Sequence, residues 1–280
     1  MMQKISITTL CEKVKMSRQN FYKGKKERQI YQVDKNVIQQ MVFRERALQP
    51  RLGGKKLYHL LKPELDKIGI RIGRDRFFEV LKECGLLLSP LPKVPYTTNS
   101  QHNLPVFKNT FEKMELEYSN QAWVADITYI RTEEDFLYLS LITDAFSRKI
   151  VGYHIGETLE SKESLKALEM ALKDLRPGEH PVHHSDRGSQ YCSHLYVNKL
   201  KSFGLDISMT EVLHCYENAQ AERVNGILKQ EYSLGCFFRT KQQARKAIEE
   251  GIFLYNTRRP HQMLRYEFPS VKHKEFRKSA

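Results

Sequence analysis

AWVADITYI, residues 122–130, reads as a β-strand with a carboxylate at its centre. The two-residue period of a strand puts Val124, Asp126 and Thr128 on one face and Trp123, Ala125, Ile127 and Tyr129 on the other. An aspartate among apolar neighbours is costly to bury unless something compensates its charge. Asp126 is therefore a candidate site residue, and a metal ion is the compensation expected. Working outward, strand-like runs follow at 136–143, 149–155, 181–185 and 205–209, with helical patterns at 161–175, 191–203, 217–232 and 241–256. Three hairpin-linked strands followed by alternating helices and strands predict an α/β domain, a mixed five-stranded sheet flanked by helices.

Two further acids stand in equally marked settings. Within VHHSDRGSQY, 182–191, Asp186 ends the short VHHS run where Arg187-Gly188 turns the chain, and Glu222 lies in the helical stretch NAQAERVNGILKQE, 218–231. Thirty-five residues separate the two acids. Seven positions on from Glu222, close to two helical turns, Lys229 shares its face, as do Asn218 and Asn225 about one turn away. Three carboxylates offer the hard oxygen donors that divalent cations prefer. His183 and His184 suggest zinc, but neighbours in a strand point to opposite faces and cannot readily chelate one ion; one is read as core, the other as near the site. Gln190 and Tyr191 open the next helix and face either a bound substrate or the core. Five cysteines without a CxxC pair argue against a disulfide framework or zinc site.

With HHSDRGSQY (183–191), YENAQAERVNGILKQE (216–231) and YNTRRPHQML (255–264) in this order, the chain resembles the transposases of the third (IS-three) insertion-sequence family. The match is to the second reading-frame protein, which carries a retroviral-integrase-like DDE core, and it runs over nearly the whole chain. The resemblance implies a ribonuclease-H-like core in which Asp126, Asp186 and Glu222 are both catalytic and metal-binding. It further implies two Mg²⁺ ions, replaceable by Mn²⁺, and two-metal phosphoryl transfer. Water would cut one strand at a transposon end, and the freed 3′-hydroxyl would attack a second phosphodiester. The implied partners are double-stranded DNA at terminal repeats and target, further copies of this chain to at least a dimer on DNA, and a possible first reading-frame polypeptide. Residues 210–218, TEVLHCYEN, depart from the family, whose members usually have a Gly- or Asn-bearing polar loop and often Asp in the place of Glu217. A structure-selective nuclease would share the acids but would not account for YNTRRPHQML, while an inactive DNA-binding regulator or element remnant is the non-enzymatic alternative.

Charge separates the chain into parts. Of the net +13, residues 1–100 hold 21 Lys and Arg against 9 Asp and Glu, whereas 101–280 hold 25 against 24. A basic first third is an electrostatic footprint for nucleic acid. Residues 1–30 read as a helix-turn-helix-like segment, with Leu10 and Val14 on one face, Met16 over the turn, Ser17 as N-cap, and Phe21 and Tyr22 inward. Residues 31–88 read as a second helix-turn-helix module in which Pro63 should kink or divide a helix. Arg18 and Gln19 of the first segment and Lys55, Lys56, Arg74 and Arg76 of the second are candidate DNA contacts, joined in the core by Arg187, Gln190, Tyr191, Asn218, Asn225 and Lys229. LGGKK, 52–56, lacks the spacing of a phosphate-binding P-loop. A Pro-rich linker is expected at 89–119, the catalytic core at 120–235, and a C-terminal helix with a basic tail at 236–280. No run of 18 apolar residues is present and no signal-peptide pattern opens the chain, so a cytoplasmic, nucleoid-associated protein without a membrane role is expected. Because phosphate contacts release counterions, DNA affinity should fall steeply with added salt; a flat response of a 1–90 fragment in a filter-binding titration would overturn the assignment of this region as the main DNA anchor.

Overall fold

The computed structural model describes residues 6–89, 104–211 and 218–276. They form two compact units, Met1–Ala47 with Gly53–Leu88, and Leu48–Leu52 with Ser89–Ala280. Pro90, Pro92 and Pro95 of the expected linker, residues 212–217 of the divergent loop, and 277–280 of the basic tail lie outside the described residues.

The first unit is helical: α1 (Ile7–Lys13), α2 (Arg18–Leu48), α3 (Gly54–Lys67) and α4 (Arg74–Glu83). Ser6 caps α1, Lys15 turns the chain at φ 52°, and Ser17 Oγ accepts the Asn20 amide at 3.1 Å to start α2. The cap is where the sequence placed it, but the packing around it differs. Leu10, Val14, Met16 and Tyr22 are all exposed, and Phe21 is half-buried. The boundary expected between residues 30 and 31 falls inside α2, which continues for 31 residues because this stretch has no proline and only Gly24 as a weak helix former. Pro63 does not divide α3 into two elements. Proline lacks the amide that would bond the His59 carbonyl, and the buried stripe of Leu57, Leu61 and Leu65 offsets that loss. The Arg76 guanidinium lies 4.3 Å over the Tyr31 ring, and Lys35 pairs with Glu83 at 2.9 Å, joining α2 to α4.

The second unit is a five-stranded sheet of order β3-β2-β1-β4-β5, from β1 (Ala122–Arg131), β2 (Phe136–Asp144), β3 (Ile150–Gly156), β4 (Val182–Ser185) and β5 (Ile207–Met209). β1, β2 and β3 pair antiparallel; β4 pairs parallel to both β1 and β5. This is the ribonuclease-H-like mixed sheet expected. α5 (Ser161–Lys173), α6 (Ser189–Cys192) and α7 (His194–Ser202) cover the face bearing Trp123, Ala125 and Ile142. α8 (Ala219–Glu231) and α9 (Lys241–Thr257) cover the face bearing Ile130, Leu139 and Leu141. α6 and α7 replace one expected helix because Ser193 is extended and its hydroxyl caps Tyr196. α9 is no appendage: Ala244, Ile248, Ile252 and Tyr255 complete the core above β1 and β2. α10 (Pro269–Glu275) is tied down through buried His273, whose Nδ1 lies 3.0 Å from Ser147 Oγ.

Helix α5 lies close on β3. A Cβ added at Gly152 would meet the Ala167 carbonyl at 2.3 Å and the Ala171 methyl at 2.9 Å, whereas one at Gly226, mid-α8, would meet nothing within 4 Å. Gly152→Ala should destabilise by ~1–3 kcal/mol and Gly226→Ala should stabilise by ~0.5–1 kcal/mol; urea unfolding of the two variants checks both signs.

Candidate active site

β1 and β4 run parallel in a register that sets Val124 opposite His184. Two residues further along each chain come Asp126, in the middle of β1, and Asp186, just past the end of β4. Asp126 points to the α8 side of the sheet, as the two-residue period required, and is half-buried. Its Oδ2 accepts from Asn225 Nδ2 at 2.8 Å and its Oδ1 from the Ile127 amide at 2.9 Å. Asp186 follows the last residue of β4, and its Oδ1 accepts the Gly188 amide at 3.0 Å, which closes the Asp-Arg-Gly turn. Glu222 sits in the first turn of α8, exposed, with its amide bonded to the Asn218 carbonyl.

Electrostatics link the three acids. Burial first, then the negative charge of Asp186, push the Asp126 carboxyl up to about 7; the Asn225 and Ile127 hydrogen bonds pull the other way, and Glu222 adds to the rise. A carboxyl so placed is short of positive charge, which a cation beside it would supply. The set is oxygen-only, which fits a hard divalent ion. Among the described residues no group of three His, Cys, Asp or Glu side chains, Asp126, Asp186 and Glu222 included, stands together closely enough to hold a metal ion. Lys229, two turns along α8, is half-buried; burial lowers its pKa, and Asp126 opposes that shift.

Several residues expected at DNA are engaged within the protein. Asn218 and Asn225 are buried: the first donates to the Ala125 carbonyl at 3.0 Å, the second to Asp126. They fix α8 against β1 at the level of the acids. Tyr191 is only 3% exposed and packs against Tyr196 and His183, at ring distances of 5.4 and 6.1 Å. Its packing reading holds, because α6 turns it inward beneath Asp126 and Asp186. Arg187 Nε donates to the Thr210 carbonyl at 2.5 Å, bracing the end of β5 against the Asp186 turn. Gln190 donates to the Leu159 carbonyl at 2.9 Å. Both histidines are fully buried on opposite sides: His183 meets the Tyr196 hydroxyl at 2.9 Å, and His184 stacks on Phe111 and meets Ser208 Oγ at 2.9 Å. Burial lowers His183 to about 3, so it is neutral. The expectation that one histidine borders the site therefore gives way to two core histidines.

In the first unit, Arg18 and Gln19 are exposed on the first turn of α2, and Lys55 is exposed with Lys56 half-buried on the first turn of α3. Arg74 and Arg76 are exposed on α4, paired with Asp75 and Glu79. Exposed pairs of this kind exchange readily for phosphate, since they contribute little.

Residues 117–215 match one integrase core domain family and residues 203–269 a second of the same description. The 31 kDa protein of insertion element IS600 from Shigella sonnei is 41% identical over 206 residues, 73% of this chain and 76% of that one. The transposase of IS629, also from Shigella sonnei, is 32% identical over 224 residues, 80% of this chain and 74% of its own. Transposase InsF of IS3A from Escherichia coli is 34% identical over 169 residues, 60% of this chain and 59% of its own.

The raised Asp126 value has a direct consequence for metal-free protein. Between the ordinary value of 3.8 and about 7 the folded chain keeps a proton that the unfolded chain has lost. That contribution to stability is full below about pH 4, declines as pH rises to about 7, and stays lost above it. Asp126→Asn lacks the titration, so in EDTA its stability relative to wild type should climb from pH 4 to pH 8. A wild-type-to-variant difference in urea midpoint that stays constant across this range would show that Asp126 ionises normally.

Proposed function

The chain belongs to the IS3-type insertion-sequence transposases, and on that premise we propose that it cuts and joins DNA at the ends of its element through Asp126, Asp186 and Glu222. The observation that carries the assignment is the parallel register of β1 with β4, which runs to two residues short of Asp126 and of Asp186, with Glu222 in the first turn of α8, the helix bonded to Asp126 through Asn225.

A DDE-type polynucleotidyl transferase has little covalent chemistry to perform; it must place an attacking oxygen in line with a phosphodiester and neutralise the developing charge. Asp126, on the sheet, is the most rigidly held ligand, with Asn225 fixing one oxygen. Asp186 comes from a turn closed by its own bond to Gly188. Glu222 approaches from α8, so the helix and the sheet hold the site between them. Magnesium, with manganese as substitute, is the ion this oxygen set fits; a bound pair supplies activation of the attacking oxygen and stabilisation of the leaving one. Lys229 lies on the same stripe of α8 as Glu222, where a cation draws a DNA phosphate along the helix. The reaction needs no covalent enzyme intermediate, because the oxygen released in the first cut is the nucleophile of the second.

DNA is the substrate, with terminal repeats held by the basic first unit through Arg18, Gln19, Lys55, Lys56, Arg74 and Arg76. Two ends must be brought together, so the working form is at least a dimer on DNA. A first reading-frame polypeptide is the further partner proposed. Among the described residues no helix is long and apolar enough to cross a membrane.

With labelled DNA from the flanks of its gene and Mg²⁺ or Mn²⁺, wild type should cleave and join at the repeats. Asp186→Asn and Glu222→Gln should bind the same DNA with wild-type affinity and lose both steps. Binding without cleavage by wild type, even with the upstream reading-frame product added, would favour the regulator or remnant reading instead.

A further inference from the structure

YNTRRPHQML, residues 255–264, takes no part in the chemistry above, yet its side chains reach three separate places in the core unit. Tyr255 is fully buried in the cluster containing Val224 and Leu228 of α8. Asn256 brackets the outer edge of β3: the Ile150 amide donates to its Oδ1 at 2.9 Å, and its Nδ2 donates to the Ile150 carbonyl at 2.9 Å. Arg259, 2% exposed, donates from Nε and one terminal nitrogen to the two carboxylate oxygens of Glu231 at 2.8 and 2.9 Å. Glu231 is the last residue of α8, and its carbonyl also accepts the Arg51 amide at 3.1 Å.

We propose that Arg259 is a positioning residue for Glu222, acting through Glu231 and the length of α8. The inference rests on the functional reading for the role of Glu222. α8 is anchored at three heights, by Asn218 on Ala125, by Asn225 on Asp126 and by Glu231 on Arg259. Glu222 itself is exposed, so the placement of its carboxylate is inherited from the helix. Nine residues of helix, ~13 Å, separate it from Glu231. The first two anchors hold one end of α8 at the sheet; the Arg259 fork fixes the far end and so the tilt and rotation of the whole helix. Desolvation makes a buried ion pair a poor source of stability compared with apolar packing. What a two-pronged guanidinium–carboxylate pair supplies is direction, since both bonds form in only one relative orientation. A lysine or an apolar pair fills the space without that direction.

The test uses the full chain with Arg259→Lys and with the double variant Glu231→Leu/Arg259→Met, measuring thermal midpoint, Mn²⁺ affinity by titration, DNA affinity, and cleavage rate at saturating DNA. Thermal midpoint and DNA affinity should stay near wild type, while Mn²⁺ affinity and cleavage rate each fall about tenfold, the loss expected when a group that orients a metal ligand is removed. Native Mn²⁺ affinity in either folded variant would overturn the proposal. If Arg259→Lys fails to fold, the double variant alone decides. Wild type that neither binds Mn²⁺ nor cuts would instead refute the functional reading, whereas wild type that does both, matched by Arg259→Lys, refutes only the role of Arg259.

Discussion

The parallel pairing of β1 with β4 is the constraint from which the rest follows. It brings Asp126, in the middle of β1, near Asp186, just past the end of β4, and the charge of Asp186 adds to the desolvation of Asp126. Nothing in folding favours that placement by itself. The sheet imposes it because the residues before each acid, from Ala122 to Val124 and from Val182 to Ser185, are committed to the core by their side chains. Trp123 and His183 pair across the two strands, both fully buried, with the Trp123 indole bonded to Asn120 at 3.0 Å. The packing thus bears the cost of a charge arrangement that a bound cation relieves.

The second half of the site is carried by α8, and its seating depends on polar contacts. Asn218 and Asn225 each place a buried carboxamide against β1. Such bonds contribute about 1 kcal/mol each, but breaking one strands a buried polar group at greater cost. Their effect is directional: Val224, Ile227 and Leu228 bury the apolar side of the helix, and the two asparagines bond it to defined points of β1. The same helix then presents Glu222 and Lys229 along one stripe, joining the fold to the chemistry it serves.

Most of the secondary structure was legible because periodicity is local. The five strands lie within one or two residues of their expected bounds, and Ser17 caps α2 as its position implied. Where the reading departed, a longer-range cause is visible. Pro63 stays within α3 because buried leucines hold the helix together, and the expected break at residue 30 is absent because no local signal ends α2. Asp144 shows the limit of reading an acid among apolar residues as a site. It is more buried than Asp126, yet the Asn120 amide at 2.7 Å and the Ser147 amide at 2.7 Å satisfy it. Only the partners distinguish the structural aspartate from the candidate catalytic one.

The sequence by itself determined the strand and helix pattern, the three acids with their spacing, and the concentration of positive charge in the first third, because each is a property of residue type and local order. Tertiary structure alone decided which polar side chains face the protein. Asn225 meets Asp126 across 99 residues of sequence and Asn218 meets Ala125 across 93, so their inward roles depend on β1 and α8 having been brought together. Asn218 and Asn225 read as surface residues beside an active site, and Tyr191 as facing either DNA or the core, for the same reason. A polar side chain in a helix carries no mark of its partner until packing turns one face of that helix toward the sheet.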